Sequence, residues 1–478
     1  MSAESLWSWE DLVRVTAGAP EGRPTAAVTG FSLDSRSLAP GEIFVALRDA
    51  RDGHQFVPNA FERGAAAAIV ETGYKRAKGD GALLRVPSPL DGLRNIARAA
   101  RERSQAAIVG VTGSVGKTGT KEALRACLSR IGPTHAAEKS FNNHWGVPLT
   151  LARMPANTEF GVFEIGMNHA GEITPLTQLV RPHIAIVTTV EPVHLEFFGS
   201  VAAIAEAKAE IFLGLEPHGI AILNRDNALF DLLADRALER GARIVSFGRH
   251  VEADVRPEVW KVGPDGSDLV VRLGSRRVAY HIGAPGAHIA QNSLAVIAAL
   301  GALDVDLDAA AAAFAALKPA KGRGSRVEVA VDHGTILVID ESYNANPASM
   351  RSALAAIATV PRERCARRIA VLGDMLELGT DSARLHEDLK EAVDAAEVDL
   401  VFACGPNMQR LYSVLPAAKR GKWGETSQEL LDPLIATVRA GDLVVVKGSL
   451  GSRMAPLVEA LLQLGKAREK GGGLAQRG

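Results

Sequence analysis

Short apolar runs alternate with helical periodicities along most of this chain. The runs at 108–111, 162–165, 184–187, 220–223 and 244–247 have the length of buried strands. Between them, in 121–131, Leu124, Cys127, Leu128 and Ile131 recur at i, i+3, i+4 and i+7, the spacing of one buried helix face. Such βα alternation predicts a mainly parallel sheet covered by helices. A long helix follows His288, and the Ala-rich stretch 308–316 also reads as helix. The segment 317–326, rich in Lys, Gly and Arg, reads as a linker. Beyond it the rhythm returns, with strands at 336–339, 369–372, 400–403 and 443–446. Toward the N-terminus, residues 30–47 read as a strand, a turn at Pro40 and Gly41, and a second strand at 43–47. Helical periodicity then fills 93–103. Boundaries near Ser104 and Leu317 give three α/β domains: a smaller one at 1–103, a central one at 104–317, and a Rossmann-like one at 318–478. The Gly-rich, basic stretch 466–478 reads as a frayed end.

Composition agrees with this division and narrows the class. At ~150 residues per domain, 478 residues suggest about three domains. With 47% hydrophobic and 23% charged residues, each can build a core, which excludes a disordered or collagen-like chain. Lys plus Arg number 54 against 55 Asp plus Glu, a net charge of −1. No global basic field exists for nucleic acid or an anionic membrane, so any anion must be met by a local cleft. Cys127, Cys365 and Cys404 are scattered and fit no metal spacing, which favours a reducing compartment. The start, MSAESLWSWEDLV, lacks a cationic segment followed by an apolar core, and no long apolar run follows. The expectation is a soluble, cytoplasmic protein without membrane insertion.

The sharpest chemical signal is Gly110-Val-Thr-Gly-Ser-Val-Gly-Lys-Thr118, between an expected strand and an expected helix. Its glycines let successive N–H groups face phosphate oxygens at a helix N-terminus. Lys117 can reach terminal phosphates and the Thr118 hydroxyl can ligate Mg²⁺. The full pattern G-x-x-x-x-G-K-[ST] fails at one place, because its first glycine falls on Val111. Glu164 ends an apolar strand, where it suits a Mg²⁺ ligand or simply closes the strand. His194 stands in a loop, and Lys208 lies on an expected helix, 201–211, whose Ala202, Ala205 and Ala209 trace one face; from spacing alone Lys208 is as well solvated as buried. Arg323 can touch phosphate from the linker or remain a polar linker residue. Directly after a strand come Asp340-Glu-Ser-Tyr-Asn-Ala-Asn-Pro347, a turn or a substrate-orienting loop. Leu372-Gly-Asp-Met-Leu-Glu-Leu-Gly379 is a similar strand-end loop with two carboxylates.

Taken together these segments resemble the Mur ligase family of ATP-dependent amide-forming enzymes of bacterial cell-wall synthesis. Leu33-Asp-Ser-Arg36, Pro40 to Leu47 and Asp52 to Phe56 look like its UDP-sugar-binding N-terminal domain. The phosphate loop, Phe141-Asn-Asn-His-Trp-Gly-Val-Pro148, Glu164 to His169, the His194 loop and Ala205 to Phe212 look like its central P-loop ATPase. The family's phosphate loop lacks the first glycine, which accounts for Val111. Ser342 to Pro347 is similar to the branch that adds D-alanyl-D-alanine, and the Asp-Asn-Pro-Arg signature of the diaminopimelate-adding branch is absent. Glu341 stands where that branch often has aspartate.

The resemblance implies an amide ligase acting as a monomer on UDP-N-acetylmuramoyl tripeptide, D-alanyl-D-alanine and ATP. It implies Thr112, Gly113, Ser114, Val115, Gly116, Lys117, Thr118, Asn292, Arg323 and Asp340 as ATP contacts. Thr118, Glu164, His194 and a CO₂-carbamylated Lys208 would hold Mg²⁺, two ions in all, and Lys117, Glu164, His194 and Lys208 carry the catalysis. Leu33, Ser35 and Asn143 would meet the nucleotide sugar, and Tyr343, Asn344 and Asn346 the dipeptide. The competing readings are a sister ligase for another acceptor and a non-catalytic, ATP-switched binding module.

Overall fold

The apolar runs become strands in three sheets, each with its own core. The computed structural model describes residues 5–138, 140–193, 195–319 and 321–471, with side chains as far as Gly465. The first sheet has the order 19–21, 82–86, 67–71, 42–45, 30–32. Gly30–Ser32 and Glu42–Val45 run parallel, Gly30 opposite Glu42, so the Pro40–Gly41 turn leads into the second strand and closes no hairpin. Gly41 takes φ +88 and donates its N–H to Gly64.

The second sheet has nine strands, in the order 276–282, 267–273, 255–262, 243–247, 220–224, 184–187, 107–112, 160–164, 134–136. Seven are parallel, as the βα rhythm predicts. Ala107–Thr112 lies between Phe160–Glu164 and Ile184–Val187, where the strand order reverses. Such a switch point opens a crevice at the strand ends. One face of this sheet is covered by Lys117–Leu128 and Ala287–Ala302, the other by helices that include Ile173–Val180 and Val201–Ala209. Leu124, Cys127 and Leu128 are fully buried as expected, while Ile131 lies past the helix end and is half-buried. The helix begins at Lys117, four residues before the periodic stretch, because Gly116 at φ +88 turns the chain there. The antiparallel extension 255–282 was missed by the sequence reading. Its turns, Gly263-Pro-Asp-Gly266 and Gly274-Ser275, were the available signal.

The third sheet has the order 325–331, 334–341, 442–447, 367–373, 400–404, 420–424, antiparallel only at its first pair. Irregular chain in the expected linker stops at Gly324, since Ser325–Val331 is already a strand. The Ala-rich stretch passes from Leu307–Ala311 into a 3₁₀ turn at Ala312–Ala316. The expected frayed end is helical as far as Gly471 within Ala455–Gly471, and residues 472–478 lie outside the described residues. No helix among the described residues is long and apolar enough to cross a membrane.

Side chains bind the three sheets to one another. Arg101, at the end of Pro89–Arg103, donates to the carbonyls of Val180 at 2.8 Å and Arg181 at 2.9 Å and pairs with Glu216. On the other side, Arg364 grips Asp265 at 2.7 and 3.2 Å, and Arg326 donates to the carbonyl of Pro264. His288 of Ala287–Ala302 meets Ser352 of Pro347–Ala358 at 3.0 Å. Because Arg101 serves two carbonyls and is buried, Arg101→Ala should cost about 3 kcal/mol, read as a loss of stability in denaturant unfolding.

Candidate active site

The strand Ala107–Thr112 delivers residues 113–116 to the crevice, and the packing there excludes any side chain at two positions. Gly113 has φ +143, and a Cβ on it would lie 2.0 Å from Thr188 Oγ1. Gly116 has φ +88, and a Cβ there would lie 2.5 Å from Asn292 Nδ2. The loop is strapped to the end of the neighbouring strand Ile184–Val187. Thr188 Oγ1 donates to the Val115 carbonyl at 2.6 Å, Ser114 N–H donates to Thr189, and Ser114 Oγ accepts from Glu191 N–H at 2.9 Å. Thr112 is fully buried beneath the loop and does not line the crevice.

Lys117 curls back over the loop, its Nζ 2.6 Å from the Gly113 carbonyl and 3.4 Å from that of Ser114. Burial lowers its pKa, Arg323 adds to the lowering, and Glu164 opposes both. Thr118 Oγ1 is 3.2 Å from Ser140 Oγ. Glu164 is buried; its Oε1 accepts from Asn142 Nδ2 at 2.7 Å, and its Oε2 has no hydrogen-bond partner among the described residues. A buried carboxylate oxygen without a donor marks a place for a cation.

Lys208 is buried, only 2% exposed. The buried face of Val201–Ala209 runs through Ile204, Ala205, Ala207 and Lys208, whereas Ala202 is exposed, so the solvated alternative fails. Burial holds its pKa well below the usual lysine range, and Lys117 nearby pushes it the same way. His194 lies outside the described residues.

A cavity of about 330 Å³ opens beside the loop. Ser114, Val115, Gly116, Lys117 and Thr118 form one wall with Glu164 and Asn292; Arg323 from the linker, with Tyr343, Asn344 and Asn346 from beyond it, forms the other. Arg323 stacks over the Tyr343 ring at 4.3 Å. Asp340 stays out of the cavity wall. Its Oδ2 accepts from Gly322 N–H at 3.0 Å, and its Oδ1 accepts from the N–H and hydroxyl of Ser342 at 3.1 and 2.6 Å. It therefore fixes the residues next to Arg323 and Tyr343. Leu33, Ser35 and Asn143 do not reach this cavity either. The first two follow Gly30–Ser32 in the first sheet, and exposed Asn143 accepts from the N–H groups of Trp145 and Gly146.

Several cavity residues, among them Ser140, Asn142, Glu341 and Lys447, receive no site role from the sequence. Ser140 and Asn142 flank the loop and second the Thr118 and Glu164 side chains; no spacing rule marks them. Half-buried Glu341 pairs with buried Lys447 at 3.2 Å, and Lys447 also donates to the Asn344 carbonyl at 2.9 Å. Lys447 ends an apolar strand before Gly448, the same signal that singled out Glu164.

A phosphate loop at a switch point, facing a second α/β unit across a cavity, defines a P-loop nucleotide-binding protein whose site is completed by its C-terminal region. Residues 111–300 match the model for the Mur ligase middle domain, and 325–450 that for the Mur ligase, glutamate ligase domain. The UDP-N-acetylmuramoyl-tripeptide–D-alanyl-D-alanine ligase of Rickettsia prowazekii is 33% identical over 89% of this chain and 94% of its own. A crystal structure of MurF from Acinetobacter baumannii superposes with a TM-score of 0.81 at 29% identity, covering 97% of this chain and 100% of that one. MurF ligase from Thermotoga maritima in complex with ADP gives 0.75 at 26%, covering 92% and 99%. The chain belongs to the Mur ligase family.

The close approach of Gly113 to Thr188 makes a local prediction. Gly113→Ala should leave the fold's unfolding transition cooperative but abolish nucleotide binding, measured by titration with a fluorescent ATP analogue.

Proposed function

We propose that this protein joins D-alanyl-D-alanine to UDP-N-acetylmuramoyl tripeptide with ATP, giving the UDP-muramoyl pentapeptide, ADP and phosphate in the bacterial cytoplasm. The observation that carries this reading is the single cavity that sets the phosphate loop against Arg323, Tyr343, Asn344 and Asn346. The names of the relatives, which span nearly their whole length, support the substrates. Three buried, unpaired cysteines agree with a reducing compartment.

A carboxylate is a poor acylating agent because its oxide leaves badly. The tripeptide's terminal carboxylate oxygen therefore attacks the γ-phosphorus of ATP, and the resulting acyl phosphate carries a good leaving group. The dipeptide's amine then attacks the acyl carbon, and the tetrahedral intermediate collapses to amide and phosphate. Lys117 exchanges its bonds to the Gly113 and Ser114 carbonyls for phosphate oxygens, and the loop's N–H groups and Arg323 meet the same charge from either side. Asn292 stands ready for the base, and Asp340 supports the Arg323 segment from beneath. Closure of the C-terminal region on the loop supplies positioning, the larger part of such catalysis.

Mg²⁺ fits the residues present. Glu164 Oε2 is a buried acceptor without a donor, and the Thr118 hydroxyl is the usual phosphate-loop ligand. Glu164, Thr118, His194 and Lys208 would hold one or two ions, which when bound offset the charge of phosphoryl group and carboxylate. A cationic Lys208 would oppose that role. Burial lowers its pKa and so raises the share of the neutral, nucleophilic amine, the form that captures CO₂. The carbamate is anionic, so repulsion between Lys208 and Lys117 becomes attraction.

Two measurements test the reading. A phosphate-release assay should need the UDP tripeptide, the dipeptide and ATP together, and Lys117→Ala should lower it by ~10³-fold or more; full activity in that variant would sink the phosphate-loop assignment. With ¹³C-bicarbonate, a carbamate resonance should appear and vanish in Lys208→Ala. Because the amine pKa is lowered, that resonance should persist at pH values where exposed lysines are fully protonated, and fade on further acidification.

A further inference from the structure

The short helix Gly146–Ala152 belongs to two cores at once. All seven of its residues are buried, as a helix that is apolar nearly all round must be. Leu149 and Ala152 pack with Trp7, Phe31 and Ile43 of the first unit, whereas Val147 and Leu151 pack with Phe163 and Ile165 of the second. The residues flanking the helix extend this reach. Before it, Phe141 packs against the first core, and the adjacent Asn142 holds Glu164 at 2.7 Å. Directly after it stands Arg153. Its Nε donates to the Phe31 carbonyl at 2.7 Å and its Nη2 to Glu42 Oε1 at 3.1 Å, both in the first sheet. Nη1 lies 3.5 Å from Glu138 Oε2 of the central unit. Arg153 and Glu42 are 21% and 15% exposed, so water screens their pair little; Glu138, at 78%, adds little.

The reaction makes the relative position of the first two units part of catalysis. A carboxylate oxygen must come within ~3–3.5 Å of the γ-phosphorus before it can attack. The first sheet contributes no residue to the cavity beside the phosphate loop, so the bulk of a large second substrate has this unit left to lie on. Four of its strands run parallel, and such sheets take ligands at their carboxyl ends. The loop 33–39 leaves one of those ends, after Gly30–Ser32. Both ends of this loop are braced by one ion pair. Arg153 holds the Phe31 carbonyl just before it, and Glu42 Oε2 accepts from Ala39 N–H at 2.8 Å where it finishes. Gly30 leaves room for that carboxylate, since a Cβ there would lie 3.1 Å from Glu42 Oε1. The planar guanidinium fork serves carbonyl and carboxylate together, which a lysine's single ammonium does not. One stretch, 141–153, therefore touches Glu164 at one end and the braces of the 33–39 loop at the other.

We propose that Arg153 is a positioning residue of the ligation: it fixes the loop 33–39, and the UDP tripeptide lying along it, against the unit that carries the phosphate loop, so that the tripeptide's carboxylate meets the γ-phosphate. This rests on the ligase reading above. The test uses the full chain with all three substrates. Arg153→Ala should lower kcat by ~10- to 100-fold, the loss that a misplacement of about 1 Å brings. The ATP KM, and the UDP-tripeptide Kd from calorimetry, should stay within about threefold, because the contacts to each substrate remain. Arg153→Lys keeps a charge beside Glu42 without the fork, and its kcat should fall between wild type and Arg153→Ala. Glu42→Gln in the Arg153→Ala background should slow the enzyme no further, since both act through one pair. A folded Arg153→Ala protein with kcat within about tenfold of wild type, or with its whole loss in the UDP-tripeptide Kd, would overturn the role while wild-type ligation stands. Where Arg153→Ala lowers the melting temperature too far to assay, Arg153→Lys carries the test, and wild-type kcat in it overturns the proposal. Wild-type protein that releases phosphate with no dipeptide at all would instead overturn the ligase reading, and the positioning role with it.

Discussion

The contact of Gly113 with Thr188 governs the rest of the site. With a Cβ only 2.0 Å from the threonine hydroxyl, no other residue lets residues 113–116 lie against the neighbouring strand end. That hydroxyl in turn holds the Val115 carbonyl, and Glu191 holds Ser114. A loop fixed on one side can present its N–H groups to phosphate on the other without reorganising when the ligand arrives. Gly116 repeats the device against Asn292, so the end of the loop and the helix Ala287–Ala302 are packed as one piece.

Around this rigid loop, charge is arranged by burial rather than by quantity. The chain carries almost no net charge, yet its substrates are polyanions. Lys208 is buried and Lys117 half-buried, and the charge at Lys117 is opposed by Glu164. Arg323 adds a cation from the linker, held in place by Tyr343 and by the turn that Asp340 orders. Removing water from such groups strengthens each of them, which explains how few are needed.

The third sheet contributes through its strand order. Asp442–Lys447 is last among its parallel neighbours in sequence but sits between 334–341 and 367–373. Its final residues therefore bridge loops more than a hundred and about seventy residues earlier, through Lys447 to Asn344 and Ser449 to Leu376. The contacts of Arg364 with Asp265 and of His288 with Ser352 hold this unit against the central sheet, so that its loops and the phosphate loop face one another.

Much of this was legible in the chain itself. Apolar runs located the parallel strands because buried strands need continuous apolar surface, and the glycine spacing before Lys117 located the phosphate loop because its geometry is local. The hairpins of 255–282 were harder, since half-buried strands alternate weakly and their turns carried the only clear mark. Lys208 was undecidable from spacing: the helix buries Ile204 and Ala207 where the alanine face alone suggested otherwise, and only packing on the sheet fixed its rotation. Asp340 kept its strand-end position but turned its oxygens to Gly322 and Ser342, a choice made by a linker eighteen residues away in sequence. The pairings of Asn142 with Glu164 and of Lys447 with Asn344 arise where segments distant in sequence meet. Sequence by itself determined which segments carry chemistry, since loop geometry and periodicity are short-range. Only the tertiary structure decided which of them share a cavity, because that depends on strand order and on the burial of single side chains.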